Sequence, residues 1–155
     1  MRIARLDRHP EFVETAVDWF VNEWGSTRQS AKDSLMDNEG CPPALVAMNS
    51  DGPMGILGYN IHLLLNSGDS RELWINALYV APQWRHRGVG ARLVRKAVKQ
   101  AARANRKSLF VYTDIPTFYE SLGWRRLSCV EETEMHILEY AIRPEAPTPT
   151  LIEDT

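Results

Sequence analysis

Thiols are scarce in this 155-residue chain: Cys41 and Cys129 are the whole complement, and neither stands in a CxxC pair or beside a histidine at ligand spacing. That excludes a disulfide framework and argues against a structural zinc site. Long apolar runs are missing too. No uninterrupted stretch approaches the roughly 20 residues a membrane span needs. The start, Met1-Arg2-Ile3-Ala4-Arg5, lacks the apolar block of a signal peptide. A cytoplasmic address with no membrane partner is the expectation. A basic excess is also absent. The formal net charge is -2, whereas a general nucleic-acid binder needs a cationic surface. The histidines His9, His62, His86 and His136 form no cluster along the chain, so no metal is expected.

What is present reads as one domain. Apolar residues at 44% and charged residues at 25% match a globular chain with one core. Residues 1–143 are expected to form it, with a proline-punctuated tail at 144–155. Arg2 to Leu6 alternates as an edge strand. Val13, Ala16, Val17, Phe20, Val21 and Trp24 then recur at three- and four-residue steps, the stripe of an amphipathic helix, and Gly25 suits its end. A more polar helix is predicted over Arg28 to Met36.

Beyond Pro42-Pro43 the pattern turns to strands: Ala44 to Met48, Gly55 to Leu64 and Glu72 to Val80. The turns between them are Asn49 to Pro53 and Asn66 to Asp69. Links this short imply an antiparallel meander. A long amphipathic helix follows from near Gly88, its buried stripe Leu93, Val94, Ala97, Val98 and Ala101. Then come a buried strand (Ser108 to Tyr112), a short helix (Pro116 to Ser121) closed by Gly123, and strands at Trp124 to Val130 and Met135 to Ile142. The order is strand, two helices, three strands, helix, strand, helix, two strands.

The chemistry concentrates at Val80-Ala81-Pro82-Gln83-Trp84-Arg85-His86-Arg87-Gly88-Val89-Gly90-Ala91. A strand ends, a basic loop with two glycines follows, and a helix starts. Helix N-termini offer free N–H groups and the positive end of a dipole, so they favour anions. Gly88 and Gly90 remove side chains where a phosphate must come close, and Arg85 and Arg87 add permanent charge. The stretch lacks the third glycine of the dinucleotide fingerprint and contains no GKS or GKT, so neither nucleotide loop fits. The plain alternative is an exposed helix start with incidental arginines.

The run Arg85-His86-Arg87-Gly88-Val89-Gly90 resembles the Q/R-x-x-G-x-G/A signature of GNAT acetyltransferases. Leu78-Tyr79-Val80-Ala81-Pro82 before it and Leu93-Val94 after it resemble the flanking pattern, and Phe118-Tyr119-Glu120-Ser121-Leu122-Gly123-Trp124 resembles a second signature of that family. The resemblance implies an α+β GNAT fold: a mixed, mostly antiparallel sheet of about seven strands flanked by about four helices. It also implies an acetyl-CoA-dependent N-acetyltransferase that needs no metal.

By that resemblance, backbone amides of Arg85, His86, Arg87, Gly88, Val89, Gly90 and Ala91 hold the coenzyme diphosphate. Leu78, Tyr79 and Val80 border the pantetheine arm, and Thr113 and Phe118 complete the groove. The strands ending at Val80 and Thr113 are expected to splay around the thioester. Tyr119 matches the tyrosine that protonates the departing thiolate, a role that suits a phenol; packing of the short helix is its structural alternative.

The base is open. Where some family members carry a glutamate, this chain has Trp74. Glu72 and Asn76 flank it two residues away, on the same face if the strand is regular. Glu72 is the candidate base and Asp114 a weaker rival. For the acceptor, Trp24, Arg28, Trp74 and Asn76 are candidate contacts. The segment Trp24 to Ser30, with His9-Pro10-Glu11, resembles the actin N-terminal acetyltransferase subgroup, in which Arg28 would pair with an acidic peptide end; helix capping is the alternative. Three functions stay open: acetylation of a small-molecule amine, acetylation of a peptide or protein N-terminus, and a non-catalytic acetyl-CoA-binding module. A homodimer through the late strands is also open.

Overall fold

The computed structural model describes residues 1–64, 70–129 and 134–142. Strand β1 (Arg2–Arg5) leads through two short 3-10 turns into helix α1 (Val13–Trp24). Val13, Ala16, Val17 and Phe20 are buried along one stripe, as their spacing requires. Gly25 ends the helix in the left-handed region at φ 68°, donating its N–H to the carbonyl of Val21. Helix α2 (Arg28–Met36) starts at Thr27, whose hydroxyl accepts from the Ser30 N–H at 3.1 Å.

Strands β2 (Leu45–Asn49), β3 (Gly52–Leu63) and β4 (Arg71–Val80) form the expected antiparallel meander. The strand expected from Gly55 begins three residues earlier, because the turn is tighter than its composition suggested. The Asp51 N–H bonds to Asn49 Oδ1 at 2.8 Å, and Gly52, at φ 121°, already pairs with Asn49. The predicted turn at Asn66 to Asp69, the end of the sixth strand at Val130 and the tail at 144–155 lie outside the described residues. Helix α3 (Val89–Arg103), strand β5 (Ser108–Thr113), helix α4 (Pro116–Glu120), strand β6 (Arg125–Cys129) and strand β7 (His136–Ala141) complete the chain.

The seven strands form one sheet in the order β1-β2-β3-β4-β5-β7-β6. Only β4 and β5 run parallel among the described pairs, because the α3 crossover returns the chain to the starting end. Helix α3 covers one face through Val89, Leu93, Val94, Ala97 and Ala101, against Leu57, Leu73, Ile75 and Val111. Helices α1 and α2 cover part of the other face, over Val46, Ile56 and Ala77. Each fully buried leucine or isoleucine contributes about 2 kcal/mol here. No described helix is long and apolar enough to cross a membrane.

One irregularity positions the site. Gly58 of β3 pairs with Ala77, but Tyr59 pairs with Ile75, so Asn76 is an extra residue on β4. Strand alternation would put Ile75, Ala77 and Tyr79 on one face. With the bulge, Ile75 enters the α3 core, whereas Ala77 and Tyr79 face α1 and α2, and Leu78 and Val80 turn toward α3. The assumption of a regular β4 is therefore corrected at Asn76.

Candidate active site

The parallel pairing of β4 with β5 is short. Leu73, Trp74 and Ile75 pair with Leu109, Phe110 and Val111, and there it stops. Beyond that rung β4 stays with β3 as far as Val80, while Tyr112 and Thr113 stay with β7. The strands diverge, leaving a backbone edge on each side of the gap without a strand partner. The expected splay is present.

A cleft of about 360 Å³ occupies this gap. Its walls are Ile75 to Leu78 from β4, Val111 to Ile115 from the end of β5, and Glu23 and Trp24 from the end of α1, with Tyr119 and Met135 also lining it. Thr113 is buried, and its hydroxyl accepts from the Ile115 N–H at 3.0 Å, which turns the chain sharply into α4. That turn carries Tyr119 back into the gap.

Tyr119 is 2% exposed and held edge-on between Phe118, at 5.0 Å between centroids, and Trp124, at 5.2 Å. Burial pushes its hydroxyl well above the ordinary phenol value. Burial thus keeps the hydroxyl protonated but also makes it a weaker acid, so donation to a thiolate relies on position.

At the mouth of α3 the backbone makes a nest. His86 and Gly88 both adopt left-handed conformations, at φ 63° and 83°. The first helical bond runs from the Arg92 N–H to the Gly88 carbonyl. Among the described residues, no acceptor takes the N–H groups from His86 through Ala91. Gly90 lies 3.4 Å, measured from an ideal Cβ, from the Phe118 ring and 3.9 Å from Leu78. Leu78 also lines the cleft, so nest and cleft adjoin. Consecutive unpaired amides at the positive end of a 15-residue helix match a diphosphate in charge and in donor supply.

The flanking arginines fold back on their neighbours. Arg85 turns back over β4, donating from Nε to the Val80 carbonyl at 2.8 Å with its guanidinium 5.5 Å from the Tyr79 ring. The Val80 carbonyl, expected to face the pantetheine arm, is thus already engaged. Arg87 stacks on Trp84 at 5.4 Å. Both guanidiniums are thus engaged with neighbouring aromatic rings.

Of the expected site residues, the fold gathers Trp24, Asn76, Leu78, Thr113 and Tyr119 around one cleft, with Asp114 beside them. Trp74 lines an adjoining depression. Glu72 lines neither: it sits at the far end of β4, paired with His62. Arg28 is also elsewhere. Its exposed guanidinium pairs with both Glu14 and Asp18, one helical turn apart on α1, and does not line the cleft. Glu23 and Tyr112 went unnoticed in the sequence: Glu23 reads as an ordinary solvated helix residue, and Tyr112 as part of a buried strand. Among the described residues, no group of three or more His, Cys, Asp or Glu side chains could hold a metal ion.

Comparison with known proteins agrees with this geometry. The family model described as Acetyltransferase (GNAT) domain matches residues 43–126. No match is found among curated protein sequences. Among solved structures, an aminoglycoside 6'-N-acetyltransferase complexed with coenzyme A superposes with a TM-score of 0.71 at 19% identity, covering 94% of this chain and 99% of that one. The aminoglycoside 6'-N-acetyltransferase from Enterococcus faecium gives 0.72 at 18%, covering 94% and 99%. A chain of the NatC complex bound to Gag peptide and CoA gives 0.72 at 16%, covering 92% and 100%. These likenesses establish the shared fold. With the family match spanning the strand, loop and helix that carry the nest, the chain belongs to the GNAT acetyltransferase family.

Proposed function

We propose that the protein is an acetyl-CoA-dependent N-acetyltransferase acting on the primary amine of a small, cationic molecule, with residues 1–143 as the catalytic domain. One observation carries the reading: unpaired amides at 86–91 adjoin a cleft that opens where β4 and β5 part. Bound there, acetyl-CoA supplies an electrophilic thioester carbonyl. The amides of 86–91 hold its diphosphate, and the free edge of β4 near Leu78 orients the arm. Such positioning accounts for much of the acceleration in amine transfer, so a strong base is not obligatory. Tyr119, in the wall of the cleft, delivers a proton toward its thiol end.

The acceptor side supports a cation. Glu23 and Asp114 both line the cleft, and their charge draws an ammonium group and disfavours an acidic peptide end. Asp114, or water beside it, takes the proton that the amine must lose before attack. Glu72 stands outside, which supports a mechanism led by positioning. Release of thiol from acetyl-CoA, followed with spermine, an aminoglycoside, simple alkylamines and acidic peptides, tests the reading. Small amines should turn over and acidic peptides should not. Preferential turnover of the peptides, or no heat when CoA is titrated into the protein, would overturn it.

A further inference from the structure

Helices α1 and α2 cover only part of their face of the sheet. Past the Asn76 bulge, β3, β4, β5 and β7 carry a second depression of about 360 Å³. Its floor is aromatic and aliphatic. Trp74 and Ile137 line it, and Phe110 packs under Trp74 at 5.2 Å between centroids. The Trp74 indole N–H donates to the His62 carbonyl at 3.3 Å, fixing the ring against the sheet. Leu63 and Tyr112, 50% and 45% exposed, form its sides.

Two observations point to a ligand. The depression shares Ile75, Asn76 and Tyr112 with the candidate active-site cleft, so the two adjoin. And Asn60, whose Nδ2 donates to Asn76 Oδ1 at 3.3 Å, keeps its own Oδ1 buried without any hydrogen-bond partner at the edge of this space. An orphaned acceptor of this kind costs free energy, and with no exposed surface it meets a ligand's donor only when the Asn60 amide turns.

We propose that this depression is an aryl subsite, and that the acceptor is a primary amine joined by a short alkyl chain to an aromatic ring. The ring lies over Trp74 beside Tyr112, and a hydroxyl or N–H on it donates to Asn60 Oδ1 once that amide turns into the depression. From Trp74 to the cleft at Ala77 is three residues, about 10 Å of strand, which suits a chain of a few carbons. The proposal rests on the acetyl-transfer reading for its amine end.

Calorimetry on CoA-loaded protein with butylamine, 4-phenylbutylamine and 4-(4-hydroxyphenyl)butylamine tests it. The phenyl compound should bind at least about tenfold tighter than butylamine, and the hydroxyphenyl compound tighter again. Leu63→Asp, at an exposed position, should erase most of the aryl advantage, with butylamine as the internal control. Trp74→Ala should do the same if it folds; the wild-type comparison decides the matter if it does not. Equal affinity of butylamine and 4-phenylbutylamine overturns the subsite. So does a sedimenting dimer that Leu63→Asp dissociates, with no aryl preference, since a second copy would then own this face. Thiol release separates the two readings: tight aryl binding without acetyl transfer to any amine sinks the transferase reading alone, whereas transfer at equal kcat/KM and equal affinity sinks the subsite alone.

Discussion

Ile75 of β4 and Val111 of β5 form the last rung between the two parallel strands, and on β4 the bulge at Asn76 follows at once. The cleft opens at that point, with Ile75 and Val111 as its closed end. A bulge bends a strand and increases its twist, and here it coincides with the loss of pairing to β5. The gap is a built feature of the sheet.

Tyr119→Phe removes the proposed proton donor and keeps the ring between Phe118 and Trp124. Turnover should fall by about 100-fold, in the range typical of a lost general acid. CoA affinity by calorimetry should be unchanged; an equal loss in both would assign the residue to packing.

Gly88→Val forces a β-branched side chain into a left-handed conformation at φ 83°, where nothing lies within 4 Å of the new Cβ. The effect is therefore backbone strain rather than collision, about 1–2 kcal/mol. Relief of that strain would turn the amides of the nest out of line. CoA binding should weaken about tenfold or more, measured by calorimetry, while the far-ultraviolet dichroism of the helices is retained.

Glu23→Gln and Asp114→Asn each remove one carboxylate from the cleft. KM for a polycationic amine should rise about threefold for each, as for solvent-accessible charge pairs. The salt dependence of kcat/KM should flatten in the double variant. Unchanged KM at low ionic strength would remove the electrostatic argument for a cationic acceptor.

Arg28→Ala should leave kcat/KM unchanged for every amine tested, because Glu14 and Asp18 already hold the guanidinium away from the cleft. A selective loss with acidic peptides would restore the peptide reading.

Burial raises the Tyr59 and Tyr119 hydroxyls above the ordinary phenol value. Unfolded tyrosines ionise near pH 10 while the folded ones stay neutral, so the unfolded state then binds fewer protons. Stability contributed by these groups is complete below that pH and is lost as pH rises through and beyond it. Denaturant midpoints followed from pH 8 to 11 should decline at the alkaline end, and less steeply in Tyr59→Phe.

Much of the fold was legible because local chemistry and tertiary packing agree. The stripe from Val13 to Phe20 became α1, Gly25 and Gly88 took the left-handed positions beside helix ends, and Arg28 to Met36 became α2. The nest was legible for the same reason: glycine spacing and a helix start are properties of a few adjacent residues. Where strands begin was less visible, as with Gly52, because a turn is set by hydrogen bonds such as that from Asp51 to Asn49.

The order of elements, the glycine-bearing loop before α3 and the tyrosine that follows the fifth strand are all encoded over short stretches. Only the tertiary structure decided which side chains share the cleft. The extra residue at Asn76 reverses which face the following positions meet, and α1 delivers Glu23 and Trp24 from more than fifty positions away. Alternation along one strand carries no information about a bulge, and no local pattern records that Arg28 will pair with Glu14 and Asp18.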